Sequence, residues 1–166
     1  LIVPLTRRVV RLAVEQIRRW QDAGHEVTVA VNVSPRTLTS GDLSELVGDT
    51  LAEFGVPPRL LRVEVTESSL ASDPDAALHE LRRLRALGVS TSMDDFGTGY
   101  SSLGLLKHLP VDELKIDKSF VTGMLTVPED AVLVRAALDL GRNLGMTVVA
   151  EGVEDDATAR ALRDLG

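Results

Sequence analysis

Cysteine is absent from the 166-residue chain. That excludes disulfides, thiolate metal sites and cysteine nucleophiles together, and it is compatible with a reducing cytoplasm. Aromatic residues are scarce, at 3%, so aliphatic side chains must fill the core. No apolar run approaches the roughly 20 residues that span a bilayer, and no membrane segment is expected in this stretch. Basic residues are outnumbered, 18 Lys and Arg against 25 Asp and Glu, and the pI is near 4.9. So acidic a chain is a poor candidate for sequence-independent nucleic-acid binding, which rests on basic patches, and no DNA partner is expected. A phosphorylated ligand would need its charge offset by divalent metals held on carboxylates. The first eight residues place their apolar stretch before the Arg7-Arg8 pair and are too short for a signal peptide. Position 1 is Leu rather than Met, so Leu1 is read as a boundary within a longer sequence. The expected location is the cytoplasm, either free or as the cytoplasmic part of a membrane-anchored protein.

What the chain has instead is aliphatic residues in blocks of two alternating periodicities. Hydrophobic residues make up 44% and charged residues 26%, as in a globular domain, and the valine- and leucine-rich blocks suit an α/β fold. Leu5, Val9, Leu12, Gln16, Ile17 and Trp20 recur at helical spacing between Pro4 and Gly24. Residues 27–33 read as a β-branched strand, nearly all apolar apart from Asn32. A helix is predicted from about Asp42 to Phe54, stopped by Gly55 and Pro57-Pro58, and then a strand over 61–65. Asp73-Pro74 opens the next helix with a capping carboxylate and a proline at the first helical position. Leu78, Leu81, Leu84 and Leu87 form its predicted buried stripe, and Gly88 ends it. Residues 89–93 and 113–116 read as strands around a short helix near 102–108. Pro128 opens a helix with Val132, Ala136 and Leu140 on one face. Residues 146–150 read as the last strand and 155–165 as the last helix. The order αβαβαβαβαβα, without linker, repeat or low-complexity tract, predicts one domain of parallel strands with right-handed crossovers.

Polar residues fall at one end of every predicted strand. Asn32 and Glu64 lie near the ends of the first two, Asp94 and Asp95 directly after the third, Lys115 at the end of the fourth and Glu151 just past the fifth. Their spacing averages about 30 residues per β/α unit, close to the ~250 residues that eight units of a TIM-type barrel occupy. Such barrels gather active sites at the carboxyl ends of their strands, whereas a doubly wound sheet gathers ligands around one crevice. Five contributing strands favour the barrel. Any single carboxylate here could equally be a helix cap or a solvated loop residue; it is the set that points to a site. Carboxylates with an amide oxygen and no thiolate describe a hard, oxygen-rich site suited to Mg²⁺ or Mn²⁺. The adjacent Asp94 and Asp95 repel unless cations lie between them. Two ions about 3.5–4 Å apart can activate a water and stabilise the leaving oxygen of a phosphodiester.

At these residues a family resemblance emerges. Val31-Asn-Val-Ser-Pro35 resembles the asparagine motif of EAL domains, and Glu64-Val-Thr-Glu-Ser68 resembles their E-x-T-E-S motif. Asp94-Asp-Phe-Gly-Thr-Gly-Tyr-Ser-Ser-Leu103 is similar to the D-D-F-G-T-G-Y-S-S-L segment, Leu114-Lys-Ile-Asp117 to the L-K-I-D strand and Ala150-Glu-Gly-Val-Glu154 to the A-E-G-V-E strand end. The motifs occur in family order along nearly the whole chain. The resemblance implies hydrolysis of cyclic di-GMP to linear pGpG by a metal-dependent (β/α) barrel. It implies that Asn32, Glu64 and Asp94 hold one metal and that Asp94 and Asp95 hold a second, with Glu151 beside it. Lys115 matches the lysine that positions the attacking water or offsets phosphate charge, and Glu151 the usual general-base candidate. Glu67 and Glu154 match carboxylates that support the ligands from outside. Glu67 would anchor the loop 96–102, which faces a partner in a homodimer, and Asp117 would orient the segment after Lys115. GGDEF-type or sensory domains are expected partners in a longer protein.

Two family features fall outside these residues. The glutamate of the E-A-L triplet and the arginine shortly after it would lie before Leu1, and the Q-G-Y strand after Gly166. The chain is therefore expected to be a partial EAL-type domain over 1–166, an incomplete barrel with about five of eight strands and little activity alone. The alternative class is an EAL module that binds cyclic di-GMP or a protein without hydrolysis, although the motifs within the stretch are intact. Other site readings are weaker. Ser101, Ser102 and His108 lack a G-x-S-x-G elbow, Gly97-Thr-Gly99 lacks the P-loop lysine, and His25, His79 and His108 have no metal-ligand spacing.

Overall fold

The computed structural model describes residues 2–98 and 108–166. Five strands, β1 (Val29–Asn32), β2 (Leu61–Thr66), β3 (Ser90–Phe96), β4 (Glu113–Ile116) and β5 (Thr147–Ala150), form one parallel sheet in the order β1-β2-β3-β4-β5. The helices are α1 (Ile2–Asp22), α2 (Pro35–Leu38), α3 (Leu43–Phe54), α4 (Glu67–Ala71), α5 (Pro74–Ala86), α6 (Lys118–Gly123), α7 (Pro128–Asn143) and α8 (Asp156–Leu165). Sequential order across the sheet, with helices between strands, is one wall of a (β/α) barrel. The short helix expected near 102–108 lies, apart from His108, outside the described residues.

Strand alternation divides the sheet into two chemistries. Val31, Val63, Val65, Met93, Leu114 and Ile116 are buried and join Val10, Val14, Ile17, Val47, Leu51, Leu81, Leu84 and Val134 of the helices in one apolar cluster. The intervening residues, on the face that strand alternation turns away from the helices, include Asn32, Arg62, Glu64, Ser90, Ser92, Asp94, Glu113 and Lys115, with the apolar Ala30 and Val149 on the two outer strands. The expected cap holds the start of α5, where Ala76 N–H donates to Asp73 Oδ1 at 3.1 Å, and Asp155 caps α8 in the same way, with Thr158 N–H donating to its Oδ1 at 2.7 Å. Gly55 ends α3 in the left-handed region, at φ 64°, as a residue without Cβ does at low cost.

The buried faces of three helices differ from the expected ones. On α1 the core side is Thr6, Val10, Val14 and Ile17, while Leu5, Val9 and Leu12 are exposed, Leu5 by 55%. Both rows obey helical spacing, so periodicity alone could not choose between them. On α7 the buried residues are Val134, Ala137 and Gly141; of the Val132 row Leu140 is half-buried against the core, while Val132 is 66% exposed. A methyl at Gly141 would run into Val148, so that face was chosen by its fit against β5. On α5, Leu81 and Leu84 are buried as expected, but Glu80 replaces Leu87 in the core.

Glu80 is 1% exposed and its Oε1 accepts the Ser44 N–H at 2.5 Å, with Arg83 Nη1 3.3 Å from Oε2. It thereby supplies the N-terminus of α3 with an acceptor that Asp42, at the cap position, does not provide. Glu80→Ala should cost about 1–3 kcal/mol by leaving that buried N–H unpaired, while Glu80→Gln, which keeps an acceptor oxygen, should cost less. Urea denaturation of both variants checks the difference.

Candidate active site

The strands are short and parallel, so their carboxyl ends arrive together and carry the predicted groups with them. Lys115 stands at the centre. Its Nζ lies 2.5 Å from Glu151 Oε1, 3.0 Å from Asp94 Oδ1 and 3.2 Å from Glu64 Oε1. Asn32 Nδ2 donates to Glu64 Oε2 at 3.2 Å, which leaves the amide oxygen free of that bond. Asn32, Glu64, Asp94, Lys115 and Glu151, drawn from five strand ends, are thus one connected group.

Asp95 joins them through a backbone irregularity. The aspartates lie within β3 rather than after it. Met93 pairs with Leu114 and Phe96 with Ile116, so β3 fits one more residue than β4 into the same interval, opposite Lys115. Consecutive residues of a regular strand point to opposite faces; an inserted residue re-aims one of them. Asp95 has φ 55°, the one non-glycine residue with positive φ among the described residues, and aspartate tolerates that conformation better than most. The result is that oxygens of Asp94, Asp95 and Glu151 lie within 4.8 Å of one another, a spacing that fits a shared cation.

The electrostatics follow from this crowding. Burial opposes the charge on Lys115, but hydrogen bonds to Glu151 and Asp94 and the charge of Glu64 outweigh it, holding the ammonium above the ordinary lysine range. Asp95 is pushed above the ordinary carboxylate range, first by burial and then by Asp94, Asp117 and Glu151. Asp117 goes the other way. Hydrogen bonds from Ser119 hold it down, and the same bonds make it the cap of α6, with Ser119 N–H donating to Oδ1 at 2.9 Å. It therefore caps the segment after β4 and also faces Asp95.

Glu67 is buried at the start of α4 and its Oε2 accepts the N–H of Gly97 at 3.3 Å, which ties it to the root of the loop after the aspartates. Of the loop 96–102, residues 99–102 lie outside the described residues. Glu154 is exposed beyond β5 and has no hydrogen bond or ion pair among the described residues. Ser92 escaped the sequence reading. It is fully buried, and its Oγ lies 3.5 Å from Glu64 Oε1. Its place two residues before Asp94, on the same face of β3, is the signal that could have found it. A cavity of about 460 Å³ between α3 and α5 lies away from this chemistry; one of about 340 Å³ is lined by Asn32, Ser34, Thr66 and Ser69 at the site's edge.

Comparison with known proteins agrees with this geometry. The model of the EAL domain family matches residues 1–166. The signaling protein YkoW of Bacillus subtilis is 41% identical over 166 residues, 100% of this chain and 21% of that protein. The bifunctional diguanylate cyclase/cyclic di-GMP phosphodiesterase MucR of Pseudomonas aeruginosa is 44% identical over 167 residues, 100% of this chain and 24% of that protein. The chain thus spans about a fifth to a quarter of the length of these relatives. Among solved structures, the PaMucR phosphodiesterase in its c-di-GMP complex gives a TM-score of 0.94 at 43% identity, over 99% of this chain and 67% of that one. The EAL domain of Mycobacterium smegmatis DcpA gives 0.94 at 40%, over 100% and 75%. No described helix is long and apolar enough to cross a membrane. With its parallel sheet, its polar strand ends and these matches, the chain belongs to the EAL domain family, whose members include cyclic di-GMP phosphodiesterases.

Proposed function

We propose that a domain spanning this chain hydrolyses one phosphodiester bond of cyclic di-GMP, giving linear pGpG, with Mg²⁺ or Mn²⁺ as cofactor. The observation that carries this reading is the convergence of Asn32, Glu64, Asp94, Asp95 and Glu151 around Lys115 at the carboxyl ends of five strands. The donors fit hard divalent ions: they are oxygens throughout, and the like charges of Asp94, Asp117 and Glu151, which add to burial in pushing Asp95 upward, are of the kind that a cation offsets. Asn32, Glu64 and Asp94 would hold one ion, and Asp94, Asp95 and Glu151 the other. The ions supply Lewis-acid stabilisation of a phosphodiester and an acidified water.

The protein's own groups have distinct tasks in this proposal. Lys115, charged throughout the neutral range, offsets phosphate charge and holds the attacking water between Glu151 and Asp94. Glu151 is placed to accept that water's proton. Glu67 keeps the root of the loop after Asp95 in place through Gly97 and so keeps both aspartates aimed, with Asp117 and Glu154 as supporting carboxylates. The loop 96–102 is the proposed homodimer contact, and GGDEF-type or sensory domains are the proposed neighbours in a longer protein. A cytoplasmic setting suits such a substrate.

Asp94→Asn or Asp95→Asn should each reduce turnover by at least about a hundredfold, because each removes anionic ligation, and Glu64→Gln should act in the same direction. The check is release of pGpG from cyclic di-GMP with Mg²⁺ or Mn²⁺, set against the same assay with excess EDTA, which should abolish it. Binding of cyclic di-GMP without hydrolysis by a complete wild-type domain in both metals would replace this proposal with a sensing module. Lys115→Met should lower kcat while leaving metal binding by calorimetry measurable, since it removes a cation rather than a ligand. Glu67→Ala should lower turnover more than it weakens metal-free substrate binding; equal losses in both, or none, would reject the coupling between loop and aspartates.

A further inference from the structure

Beneath the Lys115 cluster, towards the amino ends of the same strands, lies a second charged pair. Arg62 Nη1 on β2 reaches across β3 and donates to Glu113 Oε1 on β4 at 2.6 Å. Its Nε lies 3.4 Å from Ser90 Oγ on the strand between. The Glu113 side chain is 7% exposed and that of Arg62 29%. Arg62 precedes Glu64 by two positions and Glu113 precedes Lys115 by two, so all four share one face of the sheet. The two rungs have opposite polarity. The lower has its cation on β2 and its anion on β4; the upper has Glu64 on β2 and Lys115 on β4, 3.2 Å apart.

This arrangement has a consequence for Lys115. Residues two apart on a strand are separated by roughly 7 Å along it, and the lysine stem is long and flexible enough to bend over that distance. Glu113 is buried, and a buried carboxylate left without a partner draws in any cation within reach. The nearest cation above it is the Lys115 ammonium, which would then leave Asp94 and Glu151. We propose that Arg62 is a positioning residue for Lys115: by saturating Glu113, it reserves the ammonium for Glu64, Asp94 and Glu151. The kinetic consequence rests on the phosphodiesterase reading above; the position of the ammonium does not.

Lysine-selective ¹³C/¹⁵N labelling of a domain spanning this chain follows the Lys115 side chain by NMR, its signals assigned as those lost in Lys115→Met. Arg62→Met should shift the Lys115 Cε and Nζ signals. Glu113→Gln alone should leave them in place, and the double variant should return them to the wild-type position. In a cyclic-di-GMP-hydrolysing domain, Arg62→Met should lower kcat about tenfold with KM within about twofold, and the double variant should recover most of the loss. A pair that only braces the sheet would instead lower the melting temperature in both single variants and in the double, with Lys115 unmoved. Should Arg62→Met not fold, Arg62→Gln carries the same expectation. Unmoved Lys115 signals in the folded single variant, or signals still displaced in the double, overturn the assignment. If the signals move as expected but wild type hydrolyses nothing, the assignment stands and the phosphodiesterase reading fails.

Discussion

Five strands running the same way deliver their last polar side chains to one place, and there like charge accumulates faster than the protein neutralises it. Glu64, Asp94 and Glu151 pair with the ammonium of Lys115, and Asp95 and Asp117 crowd beside them. Lys115 satisfies three of these carboxylates directly. Asp95 is left facing Asp94, Asp117 and Glu151, and their charges add to the burial that raises it above the ordinary carboxylate range. Coulomb repulsion at such distances is too large to ignore in a half-buried site, and it is relieved either by protonation or by a cation. The fold therefore creates a demand that a cation would meet.

Geometry turns that demand into a site. Without the extra residue in β3, Asp94 and Asp95 would straddle the sheet, one towards the helices and one towards the ligand side. The irregularity is held from both ends. Upstream, Ser92 is buried against Glu64. Downstream, Gly97 has φ 100°, and a Cβ there would stand 2.8 Å from Phe120 Cε2 of α6. Only glycine meets both conditions, and its N–H is then free to reach Glu67. Glu67, Gly97 and Phe120 act on the aspartates by fixing the strand exit.

The order of elements, the parallel sheet and the convergence of Asn32, Glu64, Asp94, Lys115 and Glu151 were legible in the residues, because strand ends and turn signals are local. The bulge was not. It is a relation between β3 and β4, and the segment Met93-Asp-Asp-Phe96 reads the same with or without it. The helix faces were legible only in part. A stripe at i, i+4 and i+7 such as Leu5, Val9 and Leu12 looks identical whether or not anything packs on it. Glu80 went unnoticed because a charged residue in a helix is normally solvated; what buries it is the uncapped start of α3, 36 positions away. The short helices α2, α4 and α6 are too brief to show periodicity, although Pro35, Glu67 and Asp117 each carry a helix-start signal.

The ligand side of this sheet has no apolar row to seal it. A barrel interior is ordinarily filled by branched aliphatic side chains, but here the inward positions of β2, β3 and β4 are Arg62, Glu64, Ser90, Ser92, Asp94, Glu113 and Lys115. Cohesion on that face must come from ion pairs and hydroxyl contacts, which tolerate no unpartnered member once buried. The scaffold and the site are then drawn from one set of charges, and each pairing chosen for structure restricts the pairings open to chemistry. Reversed polarity on successive rungs is one solution: Arg62, Glu64, Glu113 and Lys115 each have an opposite charge both across the sheet and two positions along the strand. That makes the intended pairs strong and the unintended ones close, so loss of a single member does more than open a gap. It offers its former partner to the neighbouring rung.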